Sequence, residues 1–219
     1  MLKDNNPILL STAYFPPVEY FALLSSFRVI IEQHETYKKQ SYRNRCEIFS
    51  EKGTMPLSIP VTKPQGNHTS TKQVLLRNED KWYIKHWRAI QSAYESSPFY
   101  LYYKDDLREF LSGKYDNLFD LNLKIILKVS DLIGIRPLIS FTEQFEWETD
   151  NIIDLRNEIS PKRENFIADF PSYIQVFSDR KGFIPNLSIL DLLFNLGSES
   201  KAYLENFTFD KLQGNNQSG

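Results

Sequence analysis

Cysteine occurs once in 219 residues, at Cys46. No internal disulfide framework can brace this chain, and such usage suits a reducing compartment. Glycine is also sparse, eight residues in all, and none falls into a glycine-rich phosphate loop. Neither sign of charge dominates, with 26 Lys and Arg against 28 Asp and Glu. That balance provides no global field for nucleic acid or an anionic membrane surface, so any anion must be met by a local site. No apolar run approaches the ~18 residues of a membrane span. The opening Met-Leu-Lys-Asp-Asn-Asn-Pro lacks the charged-then-apolar order of a signal peptide. The expectation is a cytoplasmic protein without membrane insertion and without a nucleic-acid partner.

What the chain has is length for one substantial core and 14% aromatic residues to fill it. A single domain over residues 1 to 211 is expected, followed by a disordered tail from Leu212. Pro7 to Tyr14 reads as a buried strand, Val18 to Ser26 as a helix with one side to the core, and Val29 to Glu32 as a second strand. This β-α-β unit implies a parallel sheet with a right-handed crossover. Cys46 to Ser50 and Met55 to Val61 form a hairpin about Glu51 to Thr54. Thr62 to Thr71 is a mobile loop with the composition of a lid.

Val74 to Leu76 suits a short strand. Asn78, Glu79 and Asp80 offer caps to a helix running to Tyr94, with Tyr83, Trp87, Ile90 and Tyr94 on its inner face. Further helices are expected over Asp105 to Leu111, over Leu118 to Ile133 with Gly134 as terminator, and over Leu187 to Asn195. Strands are expected over Pro137 to Phe141 and Ser172 to Phe177. The fold class is α/β, with an N-terminal β-α-β unit, a β-hairpin and appended helices.

The densest polar run is residues 32 to 45, just past the second strand, where α/β folds place their chemistry. Arg43 and Arg45 present planar donor forks, Gln40 and Asn44 donate and accept, and Tyr37 and Lys39 complete a set suited to an anionic, hydroxyl-bearing ligand. In an extended segment Lys39, Ser41, Arg43 and Arg45 would share one side. The alternative is a solvated charged loop. Glu32, His34 and Glu35 match no standard metal spacing, and no metal is expected.

Tyr14-Phe15-Pro16-Pro17 opens the first helix, whose free amides could meet a phosphate or carboxylate, or merely make a turn. Asn186 or Ser188 would cap the last helix and leave its amides to an anion. His86 is a general base or a histidine satisfied by a carbonyl. Cys46 is core or a thiol nucleophile. Asp154, Arg156, Ser160 and Lys162 form a second polar cluster, or a salt-bridged loop.

Several segments in order carry a resemblance over roughly residues 7 to 206. They are Tyr14-Phe15-Pro16 with Tyr20-Phe21; Tyr37-x-Lys39-x-Ser41-Tyr42-x-Asn44-Arg45; Ile59-Pro60-Val61; Trp82-x-x-x-His86-Trp87; and Pro185-Asn186-Leu187-Ser188-Ile189-x-Asp191-Leu192-Leu193. The chain resembles the WbqC-like family, in its Bacteroidetes branch, whose members accompany bacterial O-antigen and other surface-polysaccharide gene clusters. The family's usual Gln-Pro opening is Ser11-Thr12 here and a frequent tryptophan is Pro17, so the resemblance implies that a ligand-contacting glutamine is absent. Cys46 lies outside the family pattern, which argues against a catalytic thiol; His86, Asn44 and Arg45 lie within it.

The layout also resembles, in fold alone, nucleotidyltransferases with a three-layer or Rossmann-like core, without their His-x-x-His loop at Phe15 to Val18. The resemblance leaves cofactor and oligomeric state open. No catalytic mechanism follows from the resemblance; the first reading of the residues is a transferase of acyl or aminoacyl groups to a sugar in surface-glycan assembly. Arg43, Asn44 and Arg45 would hold an anionic or nucleotide-linked donor, and His86 would be the base. The other readings are a noncatalytic module binding a nucleotide or glycan metabolite, and a scaffold.

Overall fold

The computed structural model describes residues 6–145, 151–209 and 212. Its centre is a four-stranded, wholly parallel sheet. Strand β1 (Ile8–Ser11) is inner, flanked by β2 (Arg28–Glu32) and by the two-residue β8 (Ile153–Asp154), while β7 (Leu138–Phe141) lies outside β2. Ile8, Leu9 and Leu10 are all fully buried, as a parallel strand covered on both faces requires. The edge strand β7 leaves Leu138 and Phe141 exposed.

In chain order the parallel strands are arranged 3-2-1-4, the order of four of the six strands of a doubly wound dinucleotide fold. The α/β class and the β-α-β start stand as read from sequence. The order reverses between β1 and β8. Because all four strands run the same way, their carboxyl ends share one edge, and the reversal opens a crevice there.

Helix α1 (Val18–Ser26) has the bounds read from sequence. Yet it is buried nearly all round, Ser25 being the exception, because other helices and β2 close over it. Strands β3 (Arg45–Ser50) and β4 (Gly53–Ser58) make the hairpin, and β5 (Val61–Thr62) pairs with β6 (Leu75–Leu76). Helix α4 (Leu118–Ile133) is capped by Asn117, whose side chain accepts from the Asp120 N–H, and ends at Gly134 with φ of 82°; a left-handed turn there suits glycine.

Helix α2 (Trp82–Tyr94) departs from expectation at its start and on its face. Asn78 to Asp80 form a separate 3-10 turn, and Lys81, left-handed at φ 48°, precedes the helix with no side-chain cap. The buried stripe is Trp82, His86, Ile90 and Ala93, with Tyr94. Tyr83 and Trp87 are half-buried, Trp87 stacking on Tyr100 and lying under the Arg108 guanidinium. Amphipathic aromatics cover a flank as readily as they fill a core, so the stripe turned by one residue.

Other bounds shifted as well. Helix α3 (Tyr100–Arg108) begins earlier than read, and α6 (Ile189–Leu196) begins later; α5 (Ser178–Lys181) and α7 (Ser200–Glu205) were not anticipated. The strand expected over Ser172 to Phe177 is irregular chain. There the Gln175 side chain bonds both the Ile184 N–H and C=O, each at 2.9 Å, which replaces a strand partner. Of the expected tail, Leu212 is itself buried, and residues 213–219 lie outside those described.

Candidate functional site

The carboxyl ends of the strands bring together residues far apart in the chain. Burial makes an unpaired charge expensive, so these charges had to find partners. From the loop after β2, Arg43 binds Glu35 in a two-point fork, Nε to Oε1 at 2.8 Å and Nη2 to Oε2 at 2.6 Å. Its Nη2 also donates to the Ser11 hydroxyl at the end of β1, at 2.6 Å. That hydroxyl in turn donates to the carbonyl of Arg156, beyond β8, at 3.3 Å.

Arg156 grips Asp154 through Nε and Nη2, at 3.0 and 2.6 Å, and reaches Glu32 at the end of β2 at 3.3 Å. The other oxygen of Glu32 accepts from the His34 N–H at 2.7 Å and from the Thr142 hydroxyl at 2.9 Å. Glu32, Glu35 and Arg43 are each at most 4% exposed. Burial pulls the Asp154 carboxyl upward, but the hydrogen bonds and charge of Arg156 prevail and hold it below its usual range.

The network surrounds the crevice at the reversal of strand order, where a cavity of about 10 Å³ is lined by Ser11, Thr12, Tyr20, Tyr42, Arg43 and Arg156 among others. About one oxygen atom fits in such a space. The Thr12 hydroxyl, 1% exposed as a residue, is buried with no hydrogen-bond partner among the described residues.

The polar run after β2 is not extended. A bend at Gln40, left-handed at φ 56°, and a turn from Ser41 to Asn44 separate what alternation would have aligned. Lys39 and Gln40 are exposed, Ser41, Tyr42 and Arg43 are buried, and Arg45 is half-buried on Glu47 at 2.9 Å. Asn44 donates to the Ile59 carbonyl at 2.8 Å, and Asn122 on α4 holds the Arg43 carbonyl at 2.8 Å. Tyr37 is buried, which pushes its phenol up to about 12.

The stretch read as a mobile loop is tied to this run. Tyr37 N–H donates to Thr69, and Thr71 N–H to Glu35, at 3.0 and 2.8 Å, while Thr69 and Thr71 are wholly buried. A segment so pinned at its end cannot swing as a whole.

Neither helix start expected to hold an anion has amides to offer. At α1 the Val18 and Tyr20 N–H groups go to the Leu187 and Pro17 carbonyls, and that of Glu19 to the Asn186 side chain. At α6 the Ile189 N–H meets Pro16, while Leu190 and Asp191 meet the Ser188 hydroxyl and carbonyl. Ser188 thus caps its own helix, and its hydroxyl also donates to the Phe15 carbonyl at 2.9 Å. Asn186 caps α1 instead.

His86 lies on the buried stripe of α2, its Nδ1 2.9 Å from the hydroxyl of the fully buried Tyr14. Burial lowers its imidazole to about 4 against a weaker opposing bond with the Ser58 backbone, so it is neutral at pH 7. It is not among the residues lining the strand-end cavity. Cys46 is likewise buried, and burial pushes its thiol far up, as for a core residue. Among the described residues no group of His, Cys, Asp and Glu is arranged to hold a metal, and no helix is long and apolar enough to cross a membrane.

Sequence reasoning separated two polar clusters that the sheet joins. It placed Glu32 and Glu35 in the polar run and set them aside as metal ligands, without pairing them to an arginine, and gave Thr12 and Asn122 no role in the site. An acidic strand end followed at close range by arginine was the available signal for the Glu35 pair. Nothing local announced its meeting with Arg156.

Comparison with known proteins finds the family noted from the sequence, over a span that holds four of the five segments named there and not the one from Pro185 to Leu193. The model of the WbqC-like protein family matches residues 12–164, a span containing Thr12, Glu32, Glu35, Arg43, Asp154 and Arg156 but neither Asn186 nor Ser188. The uncharacterized protein Rv1507c of Mycobacterium tuberculosis is 25% identical over 222 residues, covering 90% of this chain and 96% of that protein. No solved structure matches the chain.

Proposed function

The chain belongs to the WbqC-like protein family, and from that premise we propose that it binds an anionic or nucleotide-linked metabolite over the carboxyl ends of β1 and β8. In this reading it acts in cell-surface polysaccharide assembly as a transferase, moving an acyl or aminoacyl group from that donor to a sugar. The observation that carries it is the meeting of buried Arg43 and Arg156 where the strand order reverses, the place open α/β sheets reserve for ligands.

Guanidinium groups already fixed by carboxylates lose little freedom when they meet a donor, which is the condition for positioning and for stabilising developing charge. In the transfer a bond forms between the acyl carbon and a sugar oxygen, and the bond from that carbon to its leaving group breaks. The hydroxyl proton passes to a base.

A noncatalytic binding module is the second reading, favoured by the withdrawal of His86 into a bond with Tyr14. The test is a thermal-shift screen against nucleotides, nucleotide-sugars and acyl or aminoacyl donors, with and without magnesium. A ligand at 100 times its Kd adds about 2.7 kcal/mol, or roughly 5 to 10 °C for a domain of this size. A selective shift lost in Arg156→Ala supports the site, and no shift with any candidate removes it. Turnover of the bound donor then separates transferase from binding module. Undiminished turnover in His86→Ala would exclude that histidine as the base.

A further inference from the structure

We propose that this chain associates with a second copy of itself through the open edge of the sheet, β7 pairing antiparallel with β7 and α4 lying beside α4 across a two-fold axis. The proposal is independent of the crevice, which lies toward the other edge of the sheet.

The edge lacks the devices that keep a strand from pairing. Such devices are charge, proline or a bulge within the strand, and β7 is Leu138-Ile139-Ser140-Phe141 in unbroken register with β2. Leu138 is 56% exposed and Phe141 41%. Helix α4 extends the same surface. Phe119, Leu123 and Leu127 are spaced four apart and so share one flank of the helix. Phe119 meets Phe141 ring to ring at 6.0 Å, which places that flank beside β7. Leu123 is half-buried and Leu127 is 48% exposed. The opposite flank is charged and already engaged, Lys128 pairing with Asp106 at 2.6 Å and Lys124 lying over the Tyr115 ring. An apolar helix flank continuous with an uncharged strand edge is a patch, unlike single exposed leucines.

Backbone geometry selects the occupant. In a parallel ladder alternate residues turn their N–H and C=O groups to the same neighbour. The Thr142 N–H donates to the Ile31 carbonyl at 3.3 Å, so Leu138 and Ser140 also face β2, and Ile139 and Phe141 turn their groups outward. No strand takes them among the described residues. A second β7 running the opposite way, with Ser140 on the axis, sets Ile139 opposite Phe141, and each such pair exchanges both bonds. Pro137, which has no N–H, then falls opposite Glu143, outside the strand. Centring the axis on Ile139 would instead set Pro137 opposite Phe141 and leave a strand carbonyl without its donor. Charge agrees with the antiparallel sense. It brings the exposed Arg136 before one strand beside the exposed Glu143 after the other, whereas a parallel sense would bring like to like. An edge that complements itself in this way is what an isologous two-fold contact requires.

Four strand residues and one helix flank make an interface at the small end of the specific range, so association is expected at micromolar concentration. Sedimentation velocity from about 1 to about 300 μM should carry the mass from that of one 25.8 kDa chain toward twice that value. Leu127→Glu and Leu138→Lys should each weaken association by roughly tenfold or more, with thermal midpoints kept because both positions are exposed. Leu101→Glu, at an exposed leucine of α3, should leave association unchanged. A chain that stays single at every concentration overturns the proposal, as does a dimer that either edge substitution leaves intact. A dimer that Leu101→Glu weakens as much also overturns it, since the contact would then be general apolar adhesion.

Amide hydrogen exchange at the two ends of that range reads the pairing itself. The Ile139 and Phe141 amides should exchange freely in the dilute protein and become protected in the concentrated one. A dimer in which both exchange alike at the two concentrations overturns the strand pairing.

Discussion

The side chain of Asn186 accepts a hydrogen bond at 3.0 Å from the backbone N–H of Glu19, 167 positions earlier in the chain, and so caps a helix to which it does not belong. Helix α1 is preceded at its N-cap by Pro17, which can offer no side-chain cap, and the start of a buried helix cannot turn to water for one. Asn186 is itself left-handed, at φ 55°, a conformation asparagine tolerates better than most residues.

Two substitutions separate these roles. Asn186→Gly keeps the backbone conformation and leaves the buried Glu19 N–H without its acceptor, and should cost about 1 kcal/mol. Asn186→Ala adds the strain of a left-handed alanine and should cost about 1 kcal/mol more. Urea denaturation of both variants checks the order; equal losses would mean that the backbone conformation there carries no cost.

The buried pair Arg43–Glu35 should behave as a unit. Arg43→Met leaves a buried carboxylate and should cost about 3 to 5 kcal/mol, and Glu35→Leu should cost a comparable amount. The double variant should recover most of the loss while abolishing ligand binding, since the guanidinium is gone. A double-mutant cycle with independent, additive costs would contradict the coupling.

Asp191 and His86 should pull stability in opposite directions below neutrality. Asp191 is wholly buried and receives the Tyr173 hydroxyl at 2.6 Å and the Gln175 amide at 2.8 Å. Burial pushes its carboxyl up from 3.8 to about 6 despite those bonds. The folded state therefore holds this proton more tightly than the unfolded chain, and the contribution of Asp191 to stability falls as pH rises from about 4 to 6. His86 is lowered from 6.5 to about 4, so its contribution is complete above pH 6.5 and is lost as pH falls toward 4. Each effect amounts to about 3 kcal/mol.

Together they flatten the profile of the native protein between pH 4 and 6. Asp191→Asn should expose the histidine slope, with stability falling on acidification. His86→Phe should expose the opposite slope. Parallel profiles for both variants and the wild type would show that neither group titrates differently on folding.

His86 should also remain neutral in proton spectra across pH 5 to 8, with its ring resonances unmoved. A titration centred near 6.5 would mean that the Tyr14–His86 pair opens to solvent, and would restore the histidine as a base able to exchange protons with substrate.

Much of the fold was legible locally. Proline before Val18, Asn117 before Leu118 and Gly134 after Ile133 mark helix ends by short-range chemistry, and α1 and α4 have the bounds those residues set. The hairpin of β3 and β4 follows from two apolar runs about a turn. The stretch from Ser172 to Phe177 misled because its aromatic and β-branched residues suit a strand, yet no strand lies beside it. Such composition states a capacity to pair, while the neighbour that realises it comes from elsewhere.

The candidate site divides along the same line. Composition and the run from Glu32 to Arg45 were enough to indicate a polar site after β2, and the segments shared with the WbqC-like family were visible in order. Only the tertiary structure set β8 beside β1, joined Glu32 to Arg156 across 124 positions, and turned His86 inward to Tyr14. Local chemistry determines where the backbone can bend, start or stop, because those energies depend on near neighbours. Which charges share a buried crevice depends on strand order and packing, and these are settled by the burial of the whole apolar surface at once.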